Sequence, residues 1–369
     1  MADLLLVLDI LFSLFFVGPF TVLYWRGTFV SIVNVFITGN YEEKEFNESS
    51  HVKPFLGSPP NKRWIPSFTL YLVGLLMKII VDLIKNLLKK KVEDRNAVIQ
   101  TISKIVIIYN DALFGVVFWA GGFNILYVIF PSMLWYQLLS VFLLSSLSLF
   151  TMNAFKCTTG TPITIIRDTI TNVFAPSSYF SESIPRTPGN IILDTIFSYL
   201  IVHSLVICCW WSVWEMENNF ILQPCEIIIK DFKAYDSVLI AFILATMIFG
   251  VNDIVKAYCA EEEGSYRGLC LMHLVSFAAF LTSLNFWRGI WSLMDFYFFP
   301  DMIVEENLLL SHLVGFLWSV IAGTGMTLTQ SSAKDPKELE YNHCQYWRRT
   351  GEQTREQPTE TSPLVMRNL

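Results

Sequence analysis

The residues of this chain that could do chemistry are ionisable groups stranded in apolar surroundings. Asp111, preceded by Asn110, sits inside "IIYNDALFGVVFW", eight residues before Trp119. At a rise of ~1.5 Å per residue that is ~12 Å from the expected helix end. A carboxylate at such a depth in lipid must be neutralised by a proton, a cation or a basic partner. His203 and His273 fall at comparable depth in their own apolar runs, and His312 lies nearer a helix end. An Asp–His cluster inside a helix bundle suits proton-coupled or cation-dependent transport. The simpler reading is a hydrogen-bonded polar plug that specifies helix packing. Lys78 and Asp82 are four residues apart and can pair on one helix face. Asp9, Asp82, Asp194 and Asp253 are expected near inner helix ends, within reach of cytoplasmic water.

No catalytic or metal signature accompanies these groups. The chain lacks H-E-x-x-H, G-x-S-x-G, a phosphate-binding loop and paired-cysteine metal spacing. The expectation is a protein that is not an enzyme and holds neither cofactor nor metal. A net charge of −6 with no basic domain gives no footing for nucleic acid.

The elements that must carry these residues are long and apolar. Of the 369 residues 53% are hydrophobic and 16% charged, where a soluble domain has about 25% charged. Mean hydropathy is +0.47. Eight stretches are apolar enough to span a bilayer, near 4–24, 65–86, 102–123, 132–152, 191–214, 236–258, 268–290 and 304–327. The predicted fold is therefore all-α, a polytopic membrane protein with eight transmembrane helices. It divides into a first four-helix half (1–152), a Ser/Pro-containing cytoplasmic loop (153–190), a second half (191–329) and a disordered cytoplasmic tail (330–369). With both termini inside, cytoplasmic segments and their flanks carry sixteen Lys and Arg against eight outside, which is the bias that sets orientation. The sequon at Asn47 then lies outside and is a glycosylation candidate. The basic run "KNLLKKK" (85–91) marks the inner side and has affinity for anionic lipid.

The two halves are related. A shift of 185 lays "LDILFSLFFVGPFTVLYW" (8–25) on "LDTIFSYLIVHSLVICCW" (193–210), and a shift of 168 lays 118–133 on 286–302 with one insertion. An even number of spans per half makes the repeats parallel, with a pseudo-axis along the membrane normal. The odd helices share an aromatic signature: Trp25-Arg26-Gly27, Trp119 with Gly121, Trp210, and Trp287-Arg288-Gly289 with Trp291. One reading is an interfacial anchoring belt that closes each odd helix at the outer leaflet, its arginines snorkelling to water. In the other reading Arg26 and Arg288 turn inward onto an acid such as Asp295 or Glu215, lining a site or locking the repeats together. The glycines permit close approach of another backbone.

The stretch "FWRGIWSLMDFYFFP" resembles the signature of the Fuseless family, with Trp287, Arg288, Gly289, Trp291, Leu293 and Asp295 matching position by position. Trp25, Arg26 and Gly27 echo it, whereas Ala120 and Trp211-Ser212 depart from it. The resemblance implies an eight-span protein of invertebrate presynaptic terminals that supports the placement of voltage-gated calcium channels. It also carries a comparison to organic-anion transporters of the sialin type, and it supplies no catalytic residues. Two functions follow as expectations: a non-enzymatic organiser of membrane proteins, or a transporter or channel working through Asp111 and the histidines. The expected place is a plasma or vesicle membrane. In the tail, "ETSPLV" resembles an acidic dileucine sorting signal through Glu360, Leu364 and Val365.

Overall fold

A computed structural model describes residues 8, 10–38, 60–175, 187–222, 232–261, 266–298 and 302–329, and every regular element among them is a helix. The long ones are α1 (Ile10–Ile37), α2 (Pro60–Glu93), α3 (Ala97–Ile129), α4 (Trp135–Thr151), α5 (Pro188–Phe220), α6 (Phe232–Glu261), α7 (Tyr266–Tyr297) and α8 (Val304–Ile321). Local chemistry sets several boundaries. The Asn96 side chain accepts the Ile99 N–H to start α3, and Thr187 accepts the Asn190 N–H to start α5, with Pro188 in the first turn. Pro131 follows the end of α3. The expected sites at Asn47, Glu360, Leu364 and Val365, together with Asp9 and the tail, lie outside the described residues.

Six helices, α1, α2, α3, α5, α7 and α8, are long and apolar enough to cross a membrane. The apolar helix Trp135–Thr151 and the apolar stretch Tyr235–Val251 of α6 are shorter. Much of the outward face is apolar, with Ile65, Leu72, Leu76 and Leu87 exposed on α2 and Leu143, Leu144 and Leu147 on α4. An apolar surface of that extent fits a lipid surround rather than water.

Packing pairs helices that are not all sequence neighbours. α2 lies along α3, α4 along α5 and α6 along α7, but α1 lies along α8, the first long helix against the last. Gly27 makes the α1–α8 approach close, since a Cβ there would stand 2.5 Å from the Leu308 carbonyl oxygen and the His312 amide nitrogen. Gly121 does the same for α3 against α2 at Tyr71. Gly27→Leu is therefore expected to force α1 off α8 and lower stability by about 1–3 kcal/mol or more. Gly250→Leu, on a position with nothing within 4 Å, serves as the silent control in the same thermal melts.

The expected loop 153–190 is not one solvated segment. Just past the end of α4 at Thr151, Asn153 with a φ of 55° turns the chain back, and Phe155–Thr158 forms a buried 3-10 turn. α8 ends the same way, with Gly323 at φ 67° and a buried 3-10 turn at Gly325–Thr329. The Ala154 N–H returns to the Leu149 carbonyl, and the Thr324 N–H to that of Ser319. These two folded-back segments bind each other. Both oxygens of Asp168 accept backbone N–H groups, from Gly325 at 2.9 Å and Met326 at 2.7 Å, and the Asp168 N–H reaches the Gly323 carbonyl. Burial pushes the Asp168 carboxyl above the usual carboxylate range, and those two amides pull it back. Thr327 bonds both the N–H and the carbonyl of Ile166. Irregular backbone inside a membrane protein is tolerated where protein satisfies it in this manner.

Candidate functional site

The aromatic signature forms the centre of the bundle. Trp25, Trp119, Trp210 and Trp287, one from each odd helix, are each no more than 4% exposed. Their rings meet edge to face in a closed square: Trp25–Trp119 at 5.6 Å, Trp119–Trp210 at 6.0 Å, Trp210–Trp287 at 5.8 Å and Trp287–Trp25 at 5.5 Å. Four residues on, Phe29, Phe123, Trp214 and Trp291 make a second tier, joined through Phe29–Phe123, Phe29–Trp291 and Trp214–Trp291 contacts. One turn before the tetrad the positions are small: Thr21, Gly115, Val206 and Ser283. The first folded-back segment reaches this level, where the Ser283 hydroxyl bonds both backbone groups of Gly160.

This arrangement corrects the anchoring-belt expectation. The helices run straight through the Trp-Arg-Gly motifs instead of closing at them. An indole needs one acceptor for its N–H, and backbone supplies it without water. Trp25 donates to the Leu328 carbonyl (2.9 Å), Trp210 to that of Thr158 (2.9 Å), and Trp287 to the carbonyl and hydroxyl of Thr161. Trp119 has no acceptor among the described residues.

The arginines turn inward as clamps. Arg26 on α1 pairs through Nε with Asp295 on α7 at 2.6 Å, and its Nη1 donates to both Asn307 and Ser311 on α8. Arg288 on α7, 3% exposed, pairs with Glu217 of α5 at 3.0 Å and donates to Ser237 of α6. Glu215, the other acid expected as a partner, accepts from Tyr127 and Asn219 instead. Each clamp bridges three helices. Gly289 is buried beside Arg288.

The third feature is a buried charge network. Asp111 on α3 pairs with both Lys78 and Lys85 of α2, the latter at 2.6 Å. Lys85 also binds Asp82 (3.2 Å), whose other oxygen accepts from Thr195 on α5. Lys78 lies 5.0 Å from the centre of the Tyr199 ring, and His203 stacks on the same tyrosine at 4.3 Å. Lys78, Asp82, Lys85, Asp111 and His203 are all 1% exposed or less. Two ammonium groups and two carboxylates close to a neutral set. The expected Lys78–Asp82 pair is replaced by Lys78–Asp111 and Lys85–Asp82. Lys78, Asp82 and Lys85, spaced four and three apart, share one helix face, and that spacing is the signal that locates Lys85.

The other candidates separate. His273 stands elsewhere, edge-on to Phe150 at 4.8 Å. His312 bonds Thr28 and contacts Tyr24 and Tyr109. Asn110 bonds its own helix at the Val106 carbonyl. No group of His, Cys, Asp and Glu suited to a metal ion occurs among the described residues. The model of one protein family, described as Fuseless, matches residues 58–326. No curated protein and no solved structure matches the chain.

Proposed function

This chain belongs to the Fuseless family, and we propose from that premise that it is a non-enzymatic membrane protein that positions other membrane proteins. Presynaptic voltage-gated calcium channels are the partner class that the family resemblance suggests, and a neuronal plasma or vesicle membrane is the place. In this reading eight helices cross the bilayer in two parallel halves, with both termini in the cytoplasm. The duplication is supported by paired features: π turns at Ser13–Val17 and Phe197–His203, and again at Asn34–Thr38 and Glu217–Leu222, and by the matching turns that end α4 and α8.

One observation carries the organiser reading. Asp111, Lys78, Lys85, Asp82 and His203 are consumed in contacts between helices, at 1% exposure or less, where a transport route needs them facing water. The experiment is purification from native membrane in mild detergent. Recovery of a channel subunit in fixed proportion supports the organiser. No retained partner, together with solute flux through the reconstituted intact protein, overturns it in favour of a transporter or channel built on Asp111 and His203. Orientation is tested separately: glycosidase treatment should shift the mobility of the intact chain and leave Asn47→Gln unchanged.

A further inference from the structure

The exposed side of α3 carries a regular stripe. Ile99, Ser103, Val106, Asn110 and Leu113 follow one another at steps of four, three, four and three residues. That is the 3.5-residue spacing of a helix suited to lie along another helix. Ile99 and Val106 are exposed, and Ser103, Asn110 and Leu113 are partly buried. Asn110 stands near the midpoint of α3 (Ala97–Ile129), the depth at which a polar group in lipid is most costly. Its amide spends one N–H on the Val106 carbonyl at 2.8 Å. A primary amide has two N–H donors and a carbonyl acceptor. One donor and the acceptor therefore remain, with no taker among the described residues, and hydrocarbon offers them nothing. The residues on either side are engaged. The Tyr109 hydroxyl meets Nε2 of His312 at 3.4 Å, and Asp111 is held by Lys78 and Lys85.

The other half of the molecule shows that the fold does not need this amide. Under the 168-residue shift Tyr109, Asn110 and Asp111 lie on Phe277, Ala278 and Ala279. α7 keeps its place with Ala278 packed against the core. Asp111 has its charge network and Tyr109 its histidine. Asn110, of the three, is left without a role inside the chain.

The unused pair on Asn110, one donor and one acceptor, is its own complement. Two copies of the chain enter the bilayer in the same sense, so a twofold axis between them runs along the membrane normal. Two Asn110 side chains then meet at one depth and exchange two N–H···O bonds, each amide giving one and taking one, as an isologous contact requires. Ser103, the smallest side chain of the stripe, permits close approach one heptad away, and a single asparagine in an apolar seam fixes the register. We propose that this face of α3 is the contact surface for a second copy of the chain, paired about Asn110. The dimer rests on the membrane reading and not on the organiser function, so a channel subunit that fails to co-purify leaves it standing.

The test is native mass spectrometry of the full chain released from nanodiscs, joined to cysteine cross-linking in native membrane. The unaltered chain should give a dimer. Val106→Cys should add a disulfide-linked dimer on mild oxidation, beyond the band pattern of the unaltered chain, and Leu144→Cys, on the exposed face of α4, should not. Asn110→Leu should raise the dissociation constant of the dimer roughly tenfold or more. It should leave the thermal midpoint unlowered, since leucine suits a lipid-facing position. Asn110→Gln keeps the amide and should recover part of the affinity. Ser103→Phe keeps Asn110, adds bulk to the stripe, and should weaken the dimer comparably. A chain that is monomeric by both measurements overturns the proposal. So does a dimer that Asn110→Leu leaves intact, or one that cross-links through Leu144→Cys instead. A monomer that loses a bound lipid or a foreign subunit in Asn110→Leu overturns the second copy as the occupant. The two disabling variants act by different means, so poor folding of one leaves the other decisive.

Discussion

Asp111→Asn should be among the most damaging single substitutions in this protein. The Asp111 carboxylate is held by two ammonium groups, Lys78 and Lys85, in a setting 1% exposed or less. Removing its charge leaves the network with two cations against Asp82 alone. Breaking a buried pair by deleting one partner costs about 3–5 kcal/mol, since the remaining charge has no water to turn to. The expected readout is a large fall in the thermal midpoint of detergent-purified protein and loss of its monodisperse fraction. The paired change Lys78→Met/Asp111→Leu removes one charge of each sign and leaves Lys85 with Asp82. It should recover most of the loss, because a hydrophobic pair often replaces a buried ion pair at little cost. If the single and double variants are equally damaging, the network does not act as a charge-balanced unit.

The second large effect belongs to the tryptophan square. Trp287→Ala removes two edge-to-face contacts and a buried indole, and it orphans the Thr161 carbonyl and hydroxyl. A loss of about 3–5 kcal/mol is expected for truncating a packed aromatic. Phenylalanine substitutions sort the contribution of the N–H from that of the ring. Trp287→Phe should cost about 1 kcal/mol more than Trp119→Phe, because Trp119 makes no indole hydrogen bond among the described residues. Thermal melts of the two variants, with near-ultraviolet circular dichroism to follow the coupled indoles, measure the difference. Equal losses would mean that packing alone sets the stability of the square.

The long elements were readable from the sequence because an apolar run of about 20 residues with few charges is too long for most buried core helices and matches the thickness of a bilayer. The inward arginines were readable as one of two options, since a guanidinium beside apolar helices must snorkel or pair. Tryptophan resolved the wrong way for a physical reason: an indole with one polar corner suits a headgroup boundary and a protein core equally, provided an acceptor exists. The acceptors here are backbone carbonyls in segments rich in Thr, Gly and Pro, a composition that reads as exposed loop. Nothing local in "TMNAFKCTTGTPIT" announces that it folds back among helices. Asp111 was singled out by its depth, but its partner Lys85 was hidden in a basic run whose ordinary meaning is topology. His203 joined the network and His273 did not, a distinction that needs the rotation of α5 and α7 about their axes.

The pairing of α1 with α8 has a consequence for how the molecule is made. Arg26 is translated near the start of the chain, yet Asp295, Asn307 and Ser311, which hold it, emerge nearly three hundred residues later. Until α7 and α8 are made, α1 carries a guanidinium without the acid, amide and hydroxyl that hold it in the folded chain. A chain that stops short of those helices leaves Arg26 uncompensated among apolar helices, so the first helix can settle only once the last is in place.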